Sequence, residues 1–367
     1  MNAAIVRNPT NVKMMKNELK YLCAFILQQA RAENVNADLV GKSDKIKQEV
    51  DKLRQQNKES LDDVKNVEHD SNQNTEKIKE QESTFSLKIK QLQKEISIHY
   101  TNIMADIAQY CVGVLGEAPC KFSIAGMGSL AREEVTPYSD FEHIILLENQ
   151  ENYDNYVEYF RWYSVIFHVI VLNLQETIVP SLDITGLKNK EFKTWFYDAY
   201  TPCGISFDGM MPHACKFPLG RQTTTKDKPF VTELIKPVNE MLDYLTSDAH
   251  KKNGYHLADI LTKNCYVYGD PQIYNGFSAG VNNYLNAKPI DELKQDILSQ
   301  VKDDLNNFAT RHKLSNLTSS NTFNVKQNVY RSLTLFLSAL GRLNKLNSNS
   351  CFDVIEKLDS MEVKPIT

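Results

Sequence analysis

Apolar residues recur every three or four positions over residues 13–34, where Met14, Leu19, Leu22, Phe25, Ile26 and Ala30 form a rough stripe that predicts a helix. The same spacing continues from about Ala37 to Ile98 through Ile46, Val50, Leu53, Leu61 and Val64, then Ile78, Phe85, Ile89, Leu92 and Ile96. The background there is Lys, Glu, Gln, Asn and Asp, with Gly41 the sole glycine and no proline. A polar gap from Glu68 to Thr75 divides this stretch into two long helices, predicted as an antiparallel hairpin or an interrupted coiled coil. A solvated helical arm is the simpler reading of such a pattern; a dimerisation or partner-docking surface is the other. A further helix, Ile96 to Leu115, carries Ile98, Ile103, Ile107, Cys111 and Val114 on one face.

The period then changes. Phe122 to Ala125 reads as a strand and Gly126-Met127-Gly128-Ser129 as a turn, and Leu130 to Glu134 opens a helix that Pro137 stops. A second strand starts at Ser139 and runs into the apolar Ile144 to Leu147. Tyr153 to Glu176 is a long helix whose aromatic stripe (Tyr156, Tyr159, Phe160, Trp162, Tyr163, Phe167) suits burial in a core. From Lys228 onward the pattern is largely helical: Val231 to Thr246, a short element from Leu257 to Tyr268, then Pro271 to Leu285, Asp291 to Arg311, Val325 to Leu343 and Cys351 to Leu358. No internal repeat is evident. The expected domains are an N-terminal helical arm over 1–95, a mixed α+β domain over 96–230 and a C-terminal helical bundle over 231–367.

Composition narrows the class. The chain has 367 residues, 42% of them hydrophobic, enough for two or three domains with a substantial core. A formal net charge of -4 gives no basic footprint, which argues against a dedicated nucleic-acid binder. Seven cysteines without a close CxxC pair suit reduced thiols in a cytoplasmic setting. The N-terminus lacks the apolar run of a signal peptide, and the longest apolar stretch, Tyr163 to Leu174, is too short to span a bilayer. The sequon at Asn316 then has no expected meaning. His69-Asp70 invites comparison with a metal-dependent phosphohydrolase, but no partner histidines stand at ligand spacing, and a surface turn explains the pair.

The candidate chemistry sits in KFSIAGMGSLAREEVTPYSDFEHIILLEN, Lys121 to Asn149. The glycine turn lets backbone approach a ligand, and a helix start behind it favours an anion such as phosphate. Strand alternation puts Asp140 and Glu142 on one side, with Phe141 and His143 on the other. Two carboxylates at i and i+2 beside a phosphate-cradling turn suit a divalent cation, Mg2+ or Mn2+, and phosphoryl or nucleotidyl transfer. A two-metal site takes a further acid from a neighbouring strand. Asp183, in IVPSLDITG, and Asp208, in ISFDGMM, both have strand-like surroundings, with Asp183 slightly preferred for its pattern. Lys216, Arg221 and Lys226, around Thr223 to Thr225, form a polar basic loop that is either solvated or in contact with triphosphate.

At Gly128, Ser129, Ala131, Arg132, Glu134, Thr136, Pro137, Ser139 and Asp140 the sequence resembles the nucleotidyltransferase superfamily. More narrowly, it is similar to the N-terminal catalytic region of PII-protein uridylyltransferases and related, poorly characterised nucleotidyltransferases. Glu142 departs from their pattern, which usually has a second aspartate there. Weaker similarity covers Gly204 to Arg221, the run LADILTKNCYVYGD from Leu257 to Asp270, and NVKQNVYR from Asn324. The resemblance implies a polymerase-beta-like mixed sheet with a C-terminal helical substrate-binding domain. It also implies transfer of a nucleoside monophosphate from a triphosphate such as ATP or UTP to a hydroxyl acceptor; the resemblance suggests a protein side chain, with a small molecule or a nucleotide as the alternatives. Asp140 and Glu142 would hold metal, with Asp183 or Asp208 as the third acid; Gly126, Gly128, Ser129, Arg132 and Ser139 would serve the nucleotide. The competing expectation is a nucleotide-binding sensor or scaffold, its metal geometry spoiled by Glu142, that acts through partners or self-association of the N-terminal helices.

Overall fold

The computed structural model describes residues 9–65, 75–139, 141–172, 221–225, 228–246, 257–311, 330–346, 348 and 350–361. The chain divides into two compact units, Met1–Ser278 and Ala279–Thr367. In the first, three helices, α1 (Pro9–Gln29), α2 (Leu39–Lys65) and α3 (Thr75–Leu115), precede β1 (Phe122–Met127), the single turn α4 (Gly128–Ala131), β2 (His143–Leu147) and α5 (Gln150–Leu172). A hairpin of β3 (Arg221–Thr225) and β4 (Lys228–Thr232) is followed by β5 (Ile235–Pro237), α6 (Val238–Asp243), α7 (Leu257–Leu261), β6 (Asn264–Gly269) and α8 (Pro271–Ala287).

The main sheet is mixed, in the order β5-β2-β1-β6, with β1 antiparallel to both β2 and β6 and β2 parallel to β5. FSIAGM and HIILL are buried at every position, as strands covered on both faces must be. Phe122, Ile124, Ile145, Leu147 and Ile235 belong to one core with Phe160, Tyr163, Phe167 and Ile170 of α5 and Ile103, Ile107 and Cys111 of α3. The alternate positions, Ile144 and Leu146, turn to the opposite face and are buried there too; α6 packs against β2 and β5.

The N-terminal helices enter the same core. Leu39, Ser43, Ile46, Val50 and Leu53 are buried along α2, which packs on α3 and α5, while Cys23 and Leu27 anchor α1. A solvated arm therefore does not describe residues 23–53. On α1 the buried side runs through Cys23 and Leu27, with Leu19, Ile26 and Ala30 packed beside it, whereas Met14, Tyr21, Leu22 and Phe25 face outward. The helix expected to begin at Ile96 is the second half of the continuous α3. Its buried face is Ile96, Tyr100, Ile103, Met104, Ile107, Cys111 and Val114. Ile98, two residues or about 200° from Ile96, is outside that stripe and half exposed.

Two further expectations are corrected. Val231 to Thr246 is not one helix, because β4 and β5 occupy its first half; and Arg221 to Thr225 is a strand of the β3–β4 hairpin, not a loop. The Tyr-Gly-Asp at the end of β6 has a local reason: Gly269, at φ +96, crosses directly over the Phe122 carbonyl, which accepts the Asp270 N–H at 2.7 Å. The Asp270 carboxylate then caps the Gln272 N–H at the start of α8.

The second unit contains α9 (Ile290–Arg311), α10 (Arg331–Leu343) and α11 (Cys351–Ser360). Consecutive helices pack together, and Gly341 of α10 lets Val354 of α11 approach closely. Among the described residues the cysteines are free thiols, and no helix is long and apolar enough to cross a membrane.

Candidate functional site

The site is built where β1 ends beside the start of β2. The register pairs Gly126 with His143, and the Met127 N–H donates to the Glu142 carbonyl at 2.8 Å, so the glycine turn and the chain leading into β2 meet directly. Gly128 then turns at φ +62, a conformation costly for other residues. A Cβ on Gly128 would collide with the carboxylate of Glu142. The missing side chain is what allows that carboxylate to lie over the turn.

The helix expected from Leu130 to Glu134 is a single turn ending at Ala131. Arg132 N–H returns to Gly128 O and Glu134 N–H to Ser129 O, while Glu133 takes φ +55, which ends the helical path. One turn carries little macrodipole, so the phosphate preference expected from a helix start does not apply. What the turn can offer an anion is the half-buried backbone of Gly128 and Ser129. Arg132 is committed beneath it: its Nε donates to Oε2 of the buried Glu134 at 2.8 Å, which braces the turn.

Thr136 to Ser139 form a second, separately braced turn. Ser139 Oγ accepts the Thr136 N–H at 2.9 Å, and the Ser139 N–H returns to Thr136 O at 2.9 Å. Two residues absent from the sequence-based candidates hold it. Arg54 of α2 donates Nε and Nη2 to Pro137 O at 3.1 and 2.9 Å and stacks its guanidinium 4.4 Å from the Tyr138 ring centroid. Tyr100 of α3 donates its hydroxyl to Ser139 O at 2.8 Å. Neither had a local signal: Arg54 is one of many basic residues in a charged helix, and Tyr100 lies on an ordinary buried stripe.

Because that turn occupies residues 136–139, regular pairing begins at His143 instead of Ser139. The alternation still holds. Phe141 and His143 are both buried and stack at 4.5 Å, with Phe167 beside them. Glu142 therefore turns the other way, toward the face of Ile144 and Leu146. Burial among aromatic rings lowers the pKa of His143 to about 3, and burial alone lowers His168 on α5 to about 4.

Asp140, Asp183 and Asp208 lie outside the described residues, as do Lys216, Lys226 and the His69-Asp70 pair. Among the described residues no group of three His, Cys, Asp or Glu could hold a metal ion. The carboxylate next to β5, Glu233, deserves comparison because the parallel register places it opposite His143, at the same end of the sheet as Glu142. Its environment excludes it from that role. Arg161 donates to it at 2.8 and 3.1 Å and the Tyr153 hydroxyl at 2.7 Å, both from α5, so Glu233 faces α5 while Glu142 faces away.

Residues 75–171 match the family model described as Putative nucleotidyltransferase DUF294. No curated protein matches the chain. The matched span covers about a quarter of the chain, from the first turn of α3 nearly to the end of α5. It contains β1, both turns, Glu142 and β2, and it omits α2 with Arg54. At this coarse level, the segment that builds the site is similar to nucleotidyltransferases.

Proposed function

We propose that the chain transfers a nucleoside monophosphate from a nucleoside triphosphate to a hydroxyl acceptor at the junction of β1 and β2. The observation that carries this reading is the Glu142 carboxylate lying over the Gly128 turn. A hard acidic oxygen and the half-buried backbone of the Gly128-Ser129 turn thereby share one small space. Carboxylate oxygens suit Mg2+ or Mn2+, and Asp140 with Glu142 would hold the ion, with Asp183 or Asp208 as the third acid. When bound, the ion neutralises charge on the leaving pyrophosphate.

In this reading the Gly128-Ser129 backbone, with Gly126 behind it, receives the β- and γ-phosphates, and the Arg132–Glu134 pair keeps the turn in place. Ser139 closes the neighbouring turn. The acceptor oxygen attacks the α-phosphorus, the bond between that phosphorus and the bridging α–β oxygen breaks, and pyrophosphate leaves. The acceptor proton passes to a carboxylate. Positioning and electrostatics supply most of the acceleration. The acceptor class that the uridylyltransferase-like sequence favours is a protein side chain.

A transfer assay tests this with all four labelled triphosphates, Mg2+ or Mn2+, the protein alone or with cell extract, and an Asp140→Ala, Glu142→Ala double variant. Label on an acceptor with wild type alone is the expected result, and it names base and acceptor class together. Absence of both transfer and metal-dependent triphosphate binding would sink the reading. The competing scaffold function draws support from the outward-facing Met14, Tyr21, Leu22 and Phe25 on α1, an apolar stripe suited to another chain.

A further inference from the structure

We propose that Arg54 is a positioning residue for the site: from α2, outside the segment similar to nucleotidyltransferases, it fixes the turn that leads to Glu142. This rests on the transferase reading above and adds a residue and an element to it. The contact joins parts of the chain far apart in sequence, and both Nε and Nη2 converge on one carbonyl, Pro137 O. The same guanidinium lies against the Tyr138 ring, and its Nη1 reaches Asp51 Oδ1 at 3.4 Å. Only a planar, multiply donating cation fits that arrangement; a lysine ammonium would keep the charge and lose both the second hydrogen bond and the stack.

The grip is two-sided. While Arg54 holds Pro137 O, Tyr100 holds Ser139 O from α3, and its ring lies 6.5 Å from Phe141. Three residues beyond Ser139, the Glu142 carbonyl is fixed by Met127 N–H. The path to the carboxylate is thus pinned at both ends, once by helices behind the sheet and once by the sheet. The Asp51 contact lies within α2, but the two bonds to Pro137 O do nothing for that helix, which needs no donor to a carbonyl on another element. Its side chain is 15% exposed, so the interaction is shielded from solvent.

The experiment compares wild type, Arg54→Lys and Tyr100→Phe by hydrogen–deuterium exchange and by steady-state transfer with Mn2+ and the triphosphate the wild type uses. In Arg54→Lys, amides of residues 135–142 should exchange at least about tenfold faster while those of β1 are unchanged. kcat should fall on the order of 10- to 100-fold with KM for triphosphate within about threefold. Tyr100→Phe should move both readouts in the same direction by less, and it guards against Arg54→Lys failing to fold. A merely structural arginine would lower the melting temperature and leave kcat alone well below it. Unchanged exchange, or unchanged kcat in an active protein, overturns the positioning role alone; an inactive wild type that binds no triphosphate overturns the transferase reading and this role with it.

Discussion

Gly128 is the residue on which the site's geometry depends most directly, because two demands coincide there. Its φ of +62 strains any L side chain, and the space a Cβ would need is taken by the Glu142 carboxylate. Gly128→Ala should therefore cost about 1–3 kcal/mol of stability. It should also displace Glu142, weakening Mn2+-dependent triphosphate binding at least about tenfold by calorimetry. At the same scale, His143 and His168 make stability depend on pH. Both have folded-state pKa values, about 3 and about 4, below the unfolded value, so the unfolded chain binds more protons between those values and 6.5. Stability is then full above the unfolded pKa and falls as the pH drops. Between pH 7 and pH 5 each histidine should remove about 2 kcal/mol, and urea unfolding at pH 7, 6 and 5 should show the midpoint falling, with a shallower slope in His168→Leu. The turn glycines and Glu142 were legible in the sequence because their chemistry is local. Arg54 was not, since its meaning comes from a carbonyl 83 residues away.

At the level of elements, the sheet shows how alternation turns two acids at one end of it to opposite faces. Glu142 and Glu233 lie at the same end of adjacent strands, yet one turns to the Gly128 side and the other to α5. Glu233→Gln should accordingly lower stability by about 1–3 kcal/mol through the Arg161 and Tyr153 contacts. It should leave metal-dependent triphosphate binding unchanged, and a loss of that binding would show Glu233 to be the third acid after all. The strands β1 and β2 and the helix α5 were readable from apolar runs and a 3.6-residue period. β4 and β5 were not, because Lys228 to Pro237 mixes apolar and charged residues in a way that also fits a helix, and only pairing with β3 and β2 decides it. The same limit explains Ile98: its apolarity suggested burial, and the angular position that exposes it is fixed by what α3 packs against.

For the whole molecule, composition pointed to a substantial core and charge argued against a nucleic-acid surface, but neither showed how the N-terminal helices are used. Their buried residues, Cys23 to Leu53, are continuous with the core under the sheet, which a charged and glycine-poor sequence conceals. The seam between α2 and the turn at Thr136 to Ser139 has a consequence for portability. A segment cut at residue 75 and grafted into another protein would carry the glycine turn and Glu142 while leaving behind the guanidinium that holds their approach. The spelling of the site would travel, and its spacing would have to be supplied by the host.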